Sequence, residues 1–155
     1  MSTPTPPTRT DFGILLGLAY QRFKTELELS LATHGYDDIR SAYGYVFRAL
    51  ADGSLKLGEL ARRLDITDQG MLKIVQEMEG RGYVVREPDP DDGRANRVAL
   101  AKRGRAALAT ARRFHTSFER QLGATLGTAE TAKFRALLER LVSEGDAAQG
   151  VLRLP

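Results

Sequence analysis

Apolar residues along this chain recur mostly at helical spacing, and the helical pattern gives way once to two short extended runs. Phe12, Leu15, Leu16, Ala19, Phe23 and Leu27 follow the i, i+3, i+4, i+7 rhythm of one helix face, with Asp11 placed to cap it and Gly35 placed to stop it. Ile14, Leu18, Leu29 and Leu31 lie beside that face, so this first helix is more apolar than one core contact requires and predicts a second packing surface on another subunit. Asp37 and Asp38 are placed to open a second helix over residues 39–50, ended by an Asp52-Gly53 turn. A short extended piece, Leu55-Lys56-Leu57, leads into a short helix with Leu57, Leu60, Ala61 and Leu64 on one face, and Asp65-Ile66 breaks it. Thr67 then stands at an N-cap position, and Met71, Ile74, Val75 and Met78 mark the buried face of a further helix that runs to Arg81 before Gly82. Two short helices joined by a tight turn are a helix-turn-helix pattern.

After Gly82, residues 83–86 read as a strand and 97–100 as its return, with the Pro-Asp-Pro-Asp-Asp-Gly segment between them as a loop. The remainder is helical. One segment from about Lys102 to Leu122 keeps Ala107, Ala111, Phe114, Phe118 and Leu122 in register, and another starts at Thr128 and carries Phe134, Leu137, Leu138, Leu141 and Val142. The expected fold is mainly α: a winged helix-turn-helix over 54–100 with a two-stranded wing, flanked by helices in 11–50 and 102–150 that form a dimerisation region, all within one domain from 11 to 155. Residues 1–10, with three prolines and four threonines, are expected to form a flexible arm.

Composition narrows the chemistry. The 155 residues include no cysteine, which excludes disulfides, a thiol nucleophile, a thiolate metal site and a cysteine-based peroxide sensor, and the two histidines are far apart in sequence, so neither zinc nor any other cofactor is expected. There is no nucleophile with a nearby base, no glycine-rich phosphate loop and no pair of carboxylates outside the turn, so the chain does not read as an enzyme. No apolar run approaches the roughly 20 residues that span a bilayer, and the opening lacks the basic start and apolar stretch of a secretory signal, so a cytoplasmic location without a membrane partner is expected. The formal net charge is only +3, but from Arg81 to Arg113 there are nine arginines and lysines against four acids, Glu87, Asp89, Asp91 and Asp92. That local surplus suits an anionic partner.

The stretch Leu57-Gly58-Glu59-Leu60-Ala61-Arg62-Arg63-Leu64, then Thr67 to Gly82, then Asp92-Gly93-Arg94-Ala95-Asn96-Arg97-Val98-Ala99-Leu100 and Gly104, resembles the MarR-type transcriptional regulators. Their wing pattern is Asp-x-Arg, three variable residues, Val-x-Leu-Thr, then a glycine after two more residues. The chain departs from it at Ala101, where the usual threonine would cap the next helix, and at Lys56, where many members carry a small hydroxyl residue. The resemblance implies a winged helix that binds double-stranded DNA, terminal helices that build an obligate homodimer, and, as in many members, release of DNA by a small phenolic or aromatic effector. It also implies an effector cleft between the dimerisation region and the winged helix, on helices that carry Tyr20, Phe23, His34, Tyr36, Tyr43, Phe47, Arg48 and His115.

The residues themselves supply a physical reason for reading DNA. A recognition helix buries one face on its own domain and turns the N-terminal part of the other into the major groove. Gln69 can pair bidentately with adenine, Lys73 can donate to guanine or phosphate, Thr67 can donate to phosphate while capping, and Gly70 would let the backbone come close. Arg62 on the preceding helix joins these DNA contacts. Arg94, beside Gly93 at the tip of the wing, is placed to enter a narrow minor groove, with Asp92 expected to orient its guanidinium and Arg97 to support the wing or reach the phosphate backbone. Two other readings stand beside this one: an amphipathic surface helix with a solvated acidic turn, and a winged helix that contacts protein instead of DNA.

Overall fold

A computed structural model describes residues 10–94 and 96–143. The expected arm at 1–10 lies outside these residues apart from Thr10, as do the dimerisation region beyond Ser143 and the wing residue Ala95. The elements run α1 (Phe12–Ala32), α2 (Ser41–Ala49), β1 (Leu55–Lys56), α3 (Leu57–Arg63), α4 (Asp68–Gly80), β2 (Val84–Pro88), β3 (Asn96–Leu100), α5 (Lys102–Leu126) and α6 (Thr128–Ser143). No helix among the described residues is long and apolar enough to cross a membrane.

The helix-turn-helix is set by local chemistry at each end of its helices. Asp65 adopts φ 53°, and the amide of Ile66 donates to the Ala61 carbonyl at 3.1 Å, which closes α3 and turns the chain toward α4. Thr67 caps α4 as expected: its hydroxyl accepts from the Gly70 amide at 3.1 Å. Gly82 at φ 77°, with Tyr83 N–H donating to the Met78 carbonyl at 2.9 Å, ends α4 in the same way and sends the chain into β2.

The sheet has three strands where the sequence predicts a two-stranded wing. All pairs are antiparallel in the order β1-β3-β2, with Leu55 opposite Val98 and Val84 opposite Leu100. The short extended piece expected at Leu55-Lys56-Leu57 is β1, and its pairing with β3 makes it the third strand. The hairpin also extends to Pro88, opposite Asn96, one residue into the segment expected to be loop. Proline is tolerated there because β2 is an edge strand.

Helix α2 begins at Ser41, not at residue 39, and neither Asp37 nor Asp38 caps it; Arg40 occupies the cap position with no side-chain hydrogen bond. Asp38 instead accepts from Tyr83 and Arg103, partners far along the chain. Asp11 likewise sits at the N-cap of α1 without a side-chain bond. Helix α5 runs to Leu126, about a turn beyond its expected end. Ala101, where a capping threonine is usual, makes no side-chain cap, but its amide donates to the Tyr83 carbonyl at 3.0 Å and anchors the helix start to β2.

The core lies in the winged helix and α2. Tyr43, Val46, Phe47, Leu60, Ala61, Leu64, Met71, Val75, Met78, Tyr83, Val84, Val98 and Ala107 are all buried in one cluster. Gly104 closes its edge: a Cβ there would lie 2.0 Å from the Tyr83 carbonyl oxygen, so only glycine lets α5 seat this closely on the start of β2. By contrast Phe12, Leu15 and Leu16, expected on the buried face of α1, are exposed in the single chain. Only Phe23 and Leu27 of that face are half-buried, and only Leu31 of α1 is fully buried.

Candidate nucleic-acid interface

The recognition helix is α4. Met71, Val75 and Met78 fix it to the core, which turns Asp68, Gln69, Lys73 and Gln76 to solvent. Gln69 and Lys73 stand one turn apart near the N-terminal end, where a helix entering the major groove places its reading residues. Asp68, in the first turn, favourably faces the positive end of the helix dipole. Gly70 plays a different part from the one expected. It is half-buried, and a Cβ would press to 3.1 Å against Thr67 Oγ1, so its smallness protects the cap instead of admitting a DNA backbone.

Helix α3, the first turn of α4 and the wing enclose an open cleft of about 680 Å³ lined by Lys56, Leu57, Gly58, Glu59, Arg62, Asp68, Leu72, Arg86, Arg94 and Asn96. The cleft brings Arg62 and Arg94, 32 positions apart in sequence, to one surface. Arg62 and Arg94 are exposed, and Arg86 is held by Glu79 at 2.8 Å. Lys56, the residue that departs from the MarR-type pattern, adds a cation at the mouth.

The wing residues divide by role. Arg97, half-buried, spends its guanidinium inside the wing: its Nε donates to Ser54 Oγ at 2.9 Å, Nη2 to the Ser54 carbonyl at 2.7 Å, and Nη1 to Asp89 Oδ2 at 3.4 Å. It braces the wing on the segment before β1. Asp89, expected to be one of four solvated acids, is buried. Its carboxylate also meets Lys56 Nζ at 3.4 Å and accepts from the Asp91 amide at 2.9 Å. That backbone hydrogen bond does most to hold the acid below the usual carboxylate range; burial opposes it, and Lys56 and Arg97 add to the lowering. Asp92 accepts from the backbone amide of Arg94 at 3.1 Å, so it shapes the turn and leaves the Arg94 guanidinium free of it.

The basic stretch from 81 to 113 is spent more internally than its count suggests. Arg81 and Arg103 bind Asp38 and backbone carbonyls, Arg86 pairs with Glu79, Arg97 braces the wing, Arg105 donates to the Leu100 carbonyl at 2.7 Å and Arg113 to Thr110. Among the described residues, Arg94, Lys102 and Arg112 of this stretch carry no such internal bond.

The eight residues placed on the effector cleft do not come together. Tyr20, Phe23 and His115 lie along a seam where α1 crosses α5: the Phe23 ring is 5.3 Å from His115, 5.8 Å from Phe114 and 5.3 Å from Phe118. Arg48 is electrostatically coupled to this group. Desolvation first, and the Arg48 charge second, hold His115 below its ordinary value. Tyr36, Tyr43 and Phe47 instead pack on Tyr83, with centroids 6.5, 5.9 and 5.6 Å away, and Tyr43 and Phe47 belong to the dry core. His34 sits at the end of α1, its ring Nδ1 donating to the Ser30 carbonyl at 2.7 Å.

Sequence reasoning missed Lys56, Arg86 and Asp89 as parts of this surface. The departure of Lys56 from the MarR-type pattern was the one available signal; the burial of Asp89 had none.

The chain is similar to known proteins in sequence and in fold. A sequence profile described as MarR family matches residues 37–95, from the α1–α2 loop to the wing tip. The HTH-type transcriptional repressor Rv2887 of Mycobacterium tuberculosis is 30% identical over 90 residues, 58% of this chain and 65% of that protein. The match thus spans a little under two thirds of that relative's length. A probable transcriptional regulator from Pseudomonas aeruginosa superposes with a TM-score of 0.65 at 28% identity, covering 84% of this chain and 96% of that one. The transcriptional repressor CouR, solved bound to a 23-mer DNA duplex, superposes with a TM-score of 0.69 at 25% identity over 85% of this chain and 92% of that one. The winged-helix core of this chain is thus similar to the MarR family, and its fold resembles those of these two regulators along most of its length.

Proposed function

We propose that this chain is a sequence-specific transcriptional regulator of repressor type that binds double-stranded DNA as a homodimer on a pseudo-palindromic operator. The observation that carries the reading is the shared surface of recognition helix and wing. Gln69 and Lys73 project from the solvent face of α4, while the Arg94 guanidinium, without an ion-pair partner among the described residues, stands on the wing across a cleft lined by Lys56, Arg62 and Arg86 together with Glu59 and Asp68. An α4 laid in the major groove brings such a wing over the adjacent minor groove, where a narrow, strongly negative channel attracts arginine. The DNA contacts are Thr67, Gln69, Lys73, Arg62 and Arg94, with Gly70, Asp92 and Arg97 shaping the elements that present them. The relatives named repressors and the DNA-bound CouR support this reading.

Within 11–155 the winged helix at 54–100 reads DNA and the helices on either side, in 11–50 and 102–150, pair the subunits. Supporting the dimer, Phe134, Leu137, Leu138, Leu141 and Val142 on α6 and Phe12, Ile14, Leu15 and Leu18 on α1 are exposed apolar residues in one chain. Two half-sites about 34–36 Å apart then fit two recognition helices. A small aromatic effector would enter at the α1–α5 seam of Tyr20, Phe23 and His115, beside Arg48. It would act by binding better to the arrangement of recognition helices that does not match the operator.

Fluorescence anisotropy with duplexes from upstream of the gene tests the reading. Saturable binding that weakens steeply with added salt is expected; absence of binding to any duplex at low salt defeats it.

A further inference from the structure

One half-buried arginine joins parts of the molecule far apart in sequence. Arg103, at the start of α5, donates to both carboxylate oxygens of Asp38 at 3.2 and 3.4 Å, to the Arg81 carbonyl at 2.6 Å and to the Gly35 carbonyl at 3.3 Å. Its guanidinium lies 4.4 Å from the Tyr83 ring centroid, and the Tyr83 hydroxyl donates to the same Asp38 carboxylate. Arg81 donates to the Asp38 carbonyl, and Glu77 on α4 ties Arg81 at 3.0 Å to Arg40 at 2.9 Å. The α1–α2 loop is therefore stitched at once to the end of α4, the entry to β2 and the first turn of α5.

This position matters mechanically. Helix α1 leans on the middle of α5 through Phe23, Phe114, His115 and Phe118, whereas the start of α5 is seated on the winged helix through Gly104 and Ala107. With those contacts alone, α1 would follow any bend in the 25-residue α5. The Asp38–Tyr83–Arg103 node closes the triangle by fastening the far end of α1 to the reading head. Arginine suits it because a planar fork can serve a carboxylate bidentately and stack on a ring together, which lysine cannot.

We propose that Asp38, Tyr83 and Arg103 are positioning residues that set the angle between α1 and the winged helix, and through it the half-site spacing that a dimer accepts. The spacing part rests on the DNA-binding homodimer proposed above; the angle does not. Because the chain contains no cysteine, labels can be placed at will. Spin labels on Gln21→Cys in α1 and Gln76→Cys in α4, both exposed positions, and dilution with unlabelled chain, report the intramolecular distance by pulsed electron resonance.

Asp38→Asn and Arg103→Lys are each expected to broaden that distance distribution about twofold while the far-ultraviolet circular dichroism stays native. An unchanged width in both variants overturns the proposal. Arg103→Ala is the stronger lesion and is not needed for the decision. In the DNA arm, duplexes carry the preferred spacing or one base pair more or fewer. The parent chain is expected to discriminate among them about tenfold, within the usual span of coupling between sites, and Arg103→Lys less than about threefold. A uniform loss across all spacings assigns the node a merely structural role and overturns the spacing part. If the parent chain binds no duplex, DNA reading and the spacing part fail together, and the label distances alone decide the angle.

Discussion

The winged-helix core and the outer helices α1 and α6 are written in the same apolar periodicity, yet they finish in opposite states. Leu60, Leu64, Met71, Val75 and Met78 are 0% exposed, whereas Phe12 is 72%, Leu18 61% and Leu141 58% exposed. A periodic stripe states that a face must be covered and is silent on what covers it. In the core the covering elements are sequence neighbours, α2 to β3, which meet through tight turns. In the outer helices the described residues of the single chain offer no cover for much of the stripe, and the proposed second copy supplies it.

The largest expected effect tests the dry side. Leu60→Ala should cost about 2–5 kcal/mol in urea unfolding, the range for a buried leucine truncated in a packed core. Leu141→Ala, measured on dilute chain, should change that stability by less than about 0.5 kcal/mol. Its effect should appear in sedimentation equilibrium as a weaker dimer. Equal unfolding costs at both positions would erase the distinction between a closed core and an open face.

Next in size, Arg94→Ala should weaken duplex binding by about 1–3 kcal/mol without altering thermal unfolding. Arg97→Ala should do the reverse in order of cause: it lowers the melting temperature first, because Ser54 and Asp89 lose their partner. Identical profiles for the two arginines would contradict their division into reader and brace. Thr67→Ala should cost about 1 kcal/mol through the lost cap of α4, read by thermal or urea unfolding.

The smallest effect concerns the α1–α5 seam and pH. His115 is held below its ordinary 6.5 by desolvation and by Arg48, so the fold favours its neutral form. Stability from this group is whole above pH 6.5 and falls as pH drops below that value. Asp38 is shifted downward from 3.8: burial raises it, but the Tyr83 hydroxyl and the Arg103 and Arg81 charges outweigh burial. Its contribution is present above 3.8 and lost only as pH falls through its lower native value. Between pH 7.5 and 5.5 a modest drop in melting temperature is therefore expected, and His115→Gln should abolish it. A drop that persists in this variant would place its source elsewhere.

Elements governed by neighbours were readable in advance. The cap at Thr67, the stop at Gly82, the break at Asp65 and the buried face of α4 each depend on residues within one or two turns. Misreadings occurred where a side chain had both a local use and a distant one. Asp38 is expected as a helix cap and serves Arg103, 65 positions away; of the two roles open to Arg97, wing support or a phosphate contact, its bonds to Ser54, 43 positions away, supply the first. Asp92 is expected to orient the Arg94 guanidinium and instead holds the Arg94 amide, a distinction that only geometry makes.

The sequence by itself determined the order of helices and strands, the helix-turn-helix and the presence of a wing, because hydrogen bonds and apolar spacing act over a few residues. Tertiary structure decided which charges remain available to a partner. A guanidinium has five donors and will satisfy them on whichever carbonyls and carboxylates the fold brings near, and that proximity is a property of packing across the whole domain.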